Sequence, residues 1–214
     1  FMDIVNREAN LHLIKSCYFP EDAIYIISLP ESKKVFVFDT RQQLEDASLR
    51  VTTWNNLTHT DYVYDPTERA MYLTQLNGIA EYIGYNDNTA AYTMSYFTNH
   101  FDLELPNTNK IIKRAAVTAI GSTGQSFSLK VGFDYTTSYF SFPFRLKETT
   151  VSEYGAGEYG AAGTEYSLGV ALDRVDQSVA GAGSIVQIGI ETTIDGAQLS
   201  VQKLDVYAKQ GRII

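Results

Sequence analysis

The chain has 214 residues and a formal net charge of −8 at pH 7, with 44% hydrophobic and 20% charged residues. This length suits one large domain or two small ones, and the hydrophobic content excludes a disordered chain. The excess of acidic residues lies in the first half of the chain, which argues against a surface that grips nucleic-acid phosphates. An acidic wall would instead let DNA slide past it, although solubility is the simpler explanation of the charge.

Neither membrane insertion nor disulfide chemistry is expected. No apolar stretch approaches the roughly 18 residues that a membrane-spanning helix needs, and no secretory leader pattern opens the chain. Cys17 is the single cysteine, so we expect no disulfide framework and no cysteine metal site, and synthesis in a reducing cytoplasm is compatible with it. Because Phe1 precedes Met2, we expect that upstream sequence is missing.

The first half of the chain predicts short antiparallel strands. Residues 1–16 have a weak helical spacing and predict a short helix or an extended lead-in. Residues 23–29 and 34–39 alternate apolar side chains around a short polar turn, which indicates a hairpin, and residues 49–54 predict a third strand. The same unit then recurs as three more predicted strands, with an Asn77-Gly78 hairpin signal before the last: 61–64, 70–74 and 79–83.

Two such units of about 35 residues indicate partial blades of a β-propeller. A generic antiparallel meander is the alternative, because the two units share little beyond alternating aromatic residues. Two blades cannot close a ring, so we expect either further blades upstream or another chain that covers the exposed sheet edges. Residues 91–105 predict a long strand that ends at Pro106. We place the domain boundary there, between a propeller-like β lobe (1–106) and a second domain (107–214).

The second domain is predicted to be a β-sandwich, jelly-roll-like or immunoglobulin-like. Residues 110–120 and 126–136 are predicted strands, and the second has one apolar face that comprises Phe127, Leu129, Val131 and Phe133. Residues 139–145 predict an edge strand, because Pro143 has no N–H to donate to a sheet. The fold class is therefore all-β: partial propeller blades followed by a sandwich.

The end of the chain predicts a strand near 168–174, a turn of small residues at 180–184 and a final hairpin. In that hairpin, strands 185–194 and 197–207 are joined by Asp195-Gly196 as a two-residue turn with positive φ at both positions.

Residues 151–166 repeat the pair Glu-Tyr on a glycine-rich backbone. Interior glycines at this density exclude a helix, because each costs about 1 kcal/mol relative to alanine, and they also exclude a regular strand. We expect a shaped loop with three aromatic anchors, called here the Glu-Tyr-Gly tract. Its candidate interface residues are the three pairs: Glu153, Tyr154, Glu158, Tyr159, Glu165 and Tyr166.

No catalytic, cofactor or metal site is predicted. His12, His59 and His100 are scattered without metal-ligand spacing, and the chain has neither a nucleophile elbow nor a phosphate loop. The glutamates of the tract could be read as a glycosidase carboxylate pair. Glutamates beside tyrosines in a glycine-rich loop are, however, more often solvated or paired across an interface. We therefore expect the chain not to be an enzyme.

Three segments resemble a known family: residues 22–39 followed by 51–54, the Glu-Tyr-Gly tract, and residues 185–214. They are similar to the C-terminal portion of the tail nozzle proteins of short-tailed bacteriophages, which are also called packaged-DNA stabilisation or tail tubular proteins. The resemblance covers most of the chain but includes no catalytic motif. Family members are several times longer, so the chain lacks most of their propeller.

The resemblance implies a structural role in the virion, in a protein made in the host cytoplasm. The implied assembly is a hexameric homo-oligomer that contacts the adaptor or portal and other tail proteins. Such a ring retains packaged DNA and forms the channel for its ejection, without sequence-specific binding.

The tract would lie at a subunit or connector interface, where its glutamates could pair with cations such as those of the second half: Lys110, Lys113, Arg114, Arg145 and Lys147. Three alternatives remain. The tract could pack on its own domain, or the chain could be a carbohydrate- or host-receptor-binding sandwich (an adhesin) with tyrosines as sugar platforms. It could also be a hydrolase with a propeller-mouth site.

Overall fold

Strands make up nearly all of the regular structure in the computed structural model, which confirms the predicted all-β class. Apart from the strands, the longest regular element in the described part is a 3-10 turn, Leu11–Leu13. The chain divides into two compact units, Phe1–Ile83 and Gly84–Ile214. The structure describes the following residues: 5–44, 47–55, 61–75, 78–87, 89–103, 108–122, 124–147 and 170–213.

The first unit begins with four consecutive antiparallel strands in one sheet. They are β1 (Lys15–Phe19), β2 (Ile24–Leu29), β3 (Lys34–Gln43) and β4 (Leu49–Asn55). The β2–β3 hairpin and β4 were predicted, whereas β1 was not: its first residues fell within the predicted helix or lead-in. A sheet of four consecutive antiparallel strands has the strand order of a propeller blade.

A second sheet of the first unit contains three antiparallel strands. They are β5 (Asp61–Asp65), β6 (Ala70–Gln75) and β7 (Gly78–Glu81). Gln75 pairs with Gly78, so a hairpin is confirmed here, but Gly78 belongs to β7 and not to the turn; the two connecting residues, 76 and 77, lie outside the described part. All three strands fall where the alternation of apolar residues predicts them.

The two sheets of the first unit share one hydrophobic core. Ile26 and Val35 from the first sheet and Met71 from the second are fully buried. The ring of Phe19 lies 5.9 Å from that of Tyr64 in an edge-to-face contact, a favourable aromatic arrangement. The core therefore comes from the inward-facing residues of both predicted units.

The second unit is a sandwich of two antiparallel sheets. The first sheet has the order β11-β10-β13-β8. Its strands are β8 (Tyr92–Phe97), β10 (Ser126–Phe133), β11 (Phe140–Arg145) and β13 (Val186–Ile194). Strand β11 pairs only with β10 among the described strands, so the edge position predicted from Pro143 is confirmed.

The second sheet of the sandwich has the order β12-β9-β14. Its strands are β9 (Thr108–Ser122), β12 (Val170–Gly183) and β14 (Leu199–Ile213). Phe127, Leu129, Val131 and Phe133 of β10 are buried in the core that both sheets cover. The apolar face predicted for this strand is therefore confirmed, and the predicted sandwich is present.

The boundary predicted at Pro106 is wrong, because β8 belongs to the sandwich. Tyr92–Phe97 pairs with β13, Phe101 packs against the sandwich core, and the two compact units divide between Ile83 and Gly84. The strand is also shorter than the predicted range 91–105. Alternating residues indicate a strand but carry no information about which distant strand it pairs with.

The predicted terminal hairpin is also wrong. Strand β13 pairs with β10 and β8, whereas β14 pairs with β9 in the other sheet, so Asp195-Gly196 connects two sheets. Of its two residues only Gly196 has positive φ, +67°. Its N–H donates to the Tyr85 carbonyl oxygen at 3.3 Å. The turn predicted at 180–184 is likewise shorter, because β12 continues to Gly183.

Candidate functional site

The six candidate interface residues all lie outside the described residues: Glu153, Tyr154, Glu158, Tyr159, Glu165 and Tyr166. Both flanks of the Glu-Tyr-Gly tract are described, however. The chain leaves β11 after Arg145 and continues to Lys147, and it is described again from Val170, the first residue of β12. The two flanks therefore define the part of the fold to which the tract is attached.

Both flanks belong to edge strands on the same side of the sandwich. Strand β11 is the outer strand of one sheet, and β12 is the outer strand of the other. The two strands also contact each other. An edge strand presents a row of main-chain N–H and C=O groups that can pair with another chain. We call this side of the sandwich, formed by β11 and β12, the tract edge.

The Asp173 side chain of β12 accepts a hydrogen bond that joins the two flanks, from the Lys147 N–H, and a second one from its own neighbour in β12. The Lys147 N–H donates to Asp173 Oδ2 at 3.0 Å, and the Arg174 N–H donates to Oδ1 at 2.8 Å. Asp173 is buried, and so is Leu146, whose N–H donates to the Gln125 carbonyl oxygen. The Lys147 ammonium lies 3.5 Å from Asp173, but its side chain is exposed. The hydrogen bond from the Lys147 N–H to Asp173 therefore contributes more to holding the flanks than that exposed ion pair does.

A network of ion pairs covers the outer face of the β12-β9-β14 sheet. Arg114 lies 3.0 Å from Asp176, and Asp205 accepts contacts from Arg174 at 3.3 Å and Lys203 at 2.9 Å. The hydrogen bond from Lys203 lowers the pKa of Asp205 most, and the nearby charges of Lys203 and Arg174 lower it further.

Tyr207 contacts both arginines of this network. Arg174 donates to its hydroxyl at 3.0 Å, and the Arg114 guanidinium lies 5.1 Å from its ring centroid, a cation–π distance. The contacts join residues of all three strands. They can therefore hold the strands in register, whereas a set of exposed side chains without partners could not.

Lys110 is not the free interface cation that the sequence suggested. It is buried, with 1% of its surface exposed, and its Nζ donates to the Ser184 carbonyl oxygen at 2.6 Å. Arg114 is engaged in its own sheet, while Lys147 is at the tract edge with its side chain exposed. Of these three cations, Lys147 has the most exposed side chain.

The described residues contain no group of three or more His, Cys, Asp or Glu that could hold a metal ion. Within the same residues, no helix has the length and apolar composition to cross a membrane. The His100 ring contacts that of Tyr135 in a tilted arrangement, with ring centroids 4.6 Å apart, and His12 lies in the other compact unit. Burial and the nearby charge of Asp61 raise the pKa of the Cys17 thiol.

Sequence reasoning did not find two aromatic residues on the outer face of the β11-β10-β13-β8 sheet. Phe97 and Tyr139 lie with ring centroids 5.0 Å apart, and each covers a strand glycine, Gly189 and Gly132 respectively. A glycine inside a strand often marks a place where another group approaches the backbone. That signal was available in the sequence, but the identity of the covering ring was not.

No protein-family model matches the chain, and no curated protein matches it significantly. The resemblance to phage tail nozzle proteins therefore depends on the residues quoted for it.

Proposed function

We propose that the chain is a structural subunit of a phage tail ring of the nozzle type. The observation that carries the proposal is the tract edge: the Glu-Tyr-Gly tract leaves one edge strand of the sandwich and returns to another on the same side. A neighbouring subunit that contacts the tract would therefore also meet two open sheet edges.

The chemistry of the tract suits contact between subunits. A tyrosine offers a large contact area with a polar end and few rotatable bonds, and glycines let two backbones come close together. The adjacent edges can add a strand from another chain through main-chain hydrogen bonds. Repeated head-to-tail contacts of this kind close into a ring when the rotation between subunits permits it.

The other parts of the proposal follow from the family resemblance. The subunits form a hexamer in the virion, attached to the adaptor or portal and to other tail proteins, and DNA passes through the lumen. The net charge of −8 supports passage without tight binding, because a negative wall repels the DNA backbone.

The test is a triple substitution in the tract. Replacing Tyr154, Tyr159 and Tyr166 by Ser should leave the sandwich folded, because the apolar side chains of its strands form a core, and should abolish rings in electron micrographs. The matched control replaces three exposed tyrosines elsewhere and should leave ring formation unchanged: Tyr18, Tyr96 and Tyr135.

Two outcomes contradict the proposal. Rings that form normally in the tract variant would remove the tract from the interface. Unfolding of the variant, seen as a lost thermal transition, would instead mean that the tract packs on its own domain.

A further inference from the structure

Two aromatic rings cover the backbone on the outer face of the β11-β10-β13-β8 sheet. A methyl group at Gly189 would collide with the ring of Phe97, and one at Gly132 would lie 2.8 Å from the ring of Tyr139. Only glycine therefore allows each ring to lie this close to the sheet. The two rings are in contact and together form one surface, called here the aromatic platform.

Hydrogen bonds hold the platform in place. The Tyr139 hydroxyl donates to Gln187 Oε1 at 2.6 Å, and Gln187 Nε2 donates to the Thr98 carbonyl oxygen at 2.9 Å. Phe97 and Tyr139 each keep 37% of their surface exposed. The platform is thus ordered before any ligand arrives, which lowers the entropic cost of binding.

Polar groups lie next to the platform on the same face. Glu191 is two positions beyond Gly189 on β13, which places it on the same face and about 7 Å farther along the strand. With Thr93, Ser128 and Thr193 it lines a shallow depression of about 540 Å³ that lies farther along the face than Phe97 and Tyr139, neither of which lines it. The face therefore combines an apolar surface with hydroxyl and carboxylate groups.

The charges on this face nearly cancel. Lys130 Nζ lies 3.0 Å from Glu191 Oε1, so the central cation and anion neutralise each other, and the surroundings add one charge of each sign, Asp195 of the depression and Arg145 opposite Ser126. An anionic ligand such as a nucleic acid would find no net positive charge here. A neutral ligand with many hydroxyl groups fits the balance.

We propose that this face binds a neutral oligosaccharide, with Phe97 and Tyr139 as the stacking surface. The C–H groups on one side of a sugar ring carry partial positive charge and are attracted to the negative face of an aromatic ring. Sugar hydroxyls donate to the Glu191 carboxylate and exchange hydrogen bonds with the neighbouring Thr and Ser hydroxyls.

The open shape of the site determines the kind of binding. A shallow depression covers one side of a ligand and leaves the other in water, so it accepts an internal stretch of an oligosaccharide and binds it weakly. We expect dissociation constants in the range of roughly 10 μM to 1 mM. This inference does not depend on ring assembly, because the platform lies within one sandwich.

The experiment is a titration of the whole chain with neutral oligosaccharides of glucose, mannose or N-acetylglucosamine, followed by calorimetry. At least one probe should bind, and Phe97→Ala and Tyr139→Ala should each weaken that binding by about tenfold or more. Tyr96→Ala is the matched control, because Tyr96 neighbours Phe97 on β8, faces the opposite side of the sheet and is more exposed. It should leave the affinity unchanged.

A second measurement does not require any variant to fold. In NMR spectra of the wild-type chain, the bound probe should shift the amide signals of Gly132 and Gly189. The proposal is overturned if no probe binds at about 10 mM, or if a probe binds and shifts other residues but not these. It is also overturned if both platform variants fold and retain full affinity.

Discussion

The two outer faces of the sandwich are built in opposite ways. On the β12-β9-β14 sheet, Arg114, Arg174 and Lys203 each have an aspartate partner within the chain. On the β11-β10-β13-β8 sheet, the Phe97 and Tyr139 rings cover glycines and keep an exposed surface. The charged side chains of the first face are paired with one another within the chain, whereas the two rings of the aromatic platform are partly exposed and available to a partner.

This difference shows how exposed residues can be sorted into structural and binding roles. Exposed ion pairs that satisfy one another contribute little to stability individually, and a network fixes geometry more than it adds free energy. Exposed aromatic rings in contact are less common on a water-facing sheet, which ordinarily carries polar side chains. The tract edge lies where these two sheets meet, so a partner there would lie next to both faces.

The largest expected effect comes from the core that both faces share. Leu129 is fully buried, and Leu129→Ala should lower the free energy of unfolding by about 3 kcal/mol, because it leaves a cavity. Leu172 is 67% exposed on β12, so Leu172→Ala should change it by less than about 0.5 kcal/mol. Denaturant unfolding measures both. Equal effects would contradict the assignment of the core.

A smaller effect is expected at the tract edge. Asp173→Ala removes the buried carboxylate that accepts from the Lys147 and Arg174 N–H groups, and should cost about 1–3 kcal/mol, since two hydrogen bonds to a charged acceptor are lost. Asp173→Asn keeps a side-chain oxygen and should recover part of that loss. Thermal or denaturant melts of the two variants provide the comparison. If Ala and Asn are equally stable, the hydrogen bonds do not hold the flanks.

The smallest expected effect is on how stability depends on pH, through Asp205 on the outer face of the β12-β9-β14 sheet. The pKa of Asp205 is lowered from its ordinary value of 3.8, so the folded state binds this proton more weakly than the unfolded state does. Its contribution to stability is complete above that ordinary value and is lost as the pH falls through the lowered pKa. Asp205→Asn should therefore lose less stability than the wild type on acidification below about pH 4, as measured by denaturant unfolding. Parallel acid curves would contradict the cause assigned to the shift.

Local patterns predicted the strands well, and long-range pairing explains most of the errors. The alternation in β10 and the missing N–H of Pro143 are properties of neighbouring residues, so their outcomes follow from the sequence. The sheet that β8 joins, and the separation of β13 from β14, depend on strands far away in the chain. Asp195-Gly196 is compatible with a hairpin in the sequence, but the strands on its two sides pair with other strands in different sheets.

The candidate sites show the same limit. The Glu-Tyr-Gly tract stands out in the sequence, but the contact between its described flanks, from Lys147 to Asp173, involves residues that no motif marks. Phe97 and Tyr139 are far apart in sequence. They meet because Tyr139, which precedes β11, covers Gly132 of β10, and because β8 and β10 both flank β13. Lys110 looks like a surface cation in the sequence, and only the packing of the sandwich shows that it is buried.

The mass of the wild-type chain in solution tests the proposed assembly most directly. Sedimentation equilibrium over a wide range of concentrations should give a species of six times the 23.9 kDa chain, and the tract variant should give the mass of one chain. A wild-type chain that keeps the mass of a single copy at every concentration would contradict assembly through the tract edge.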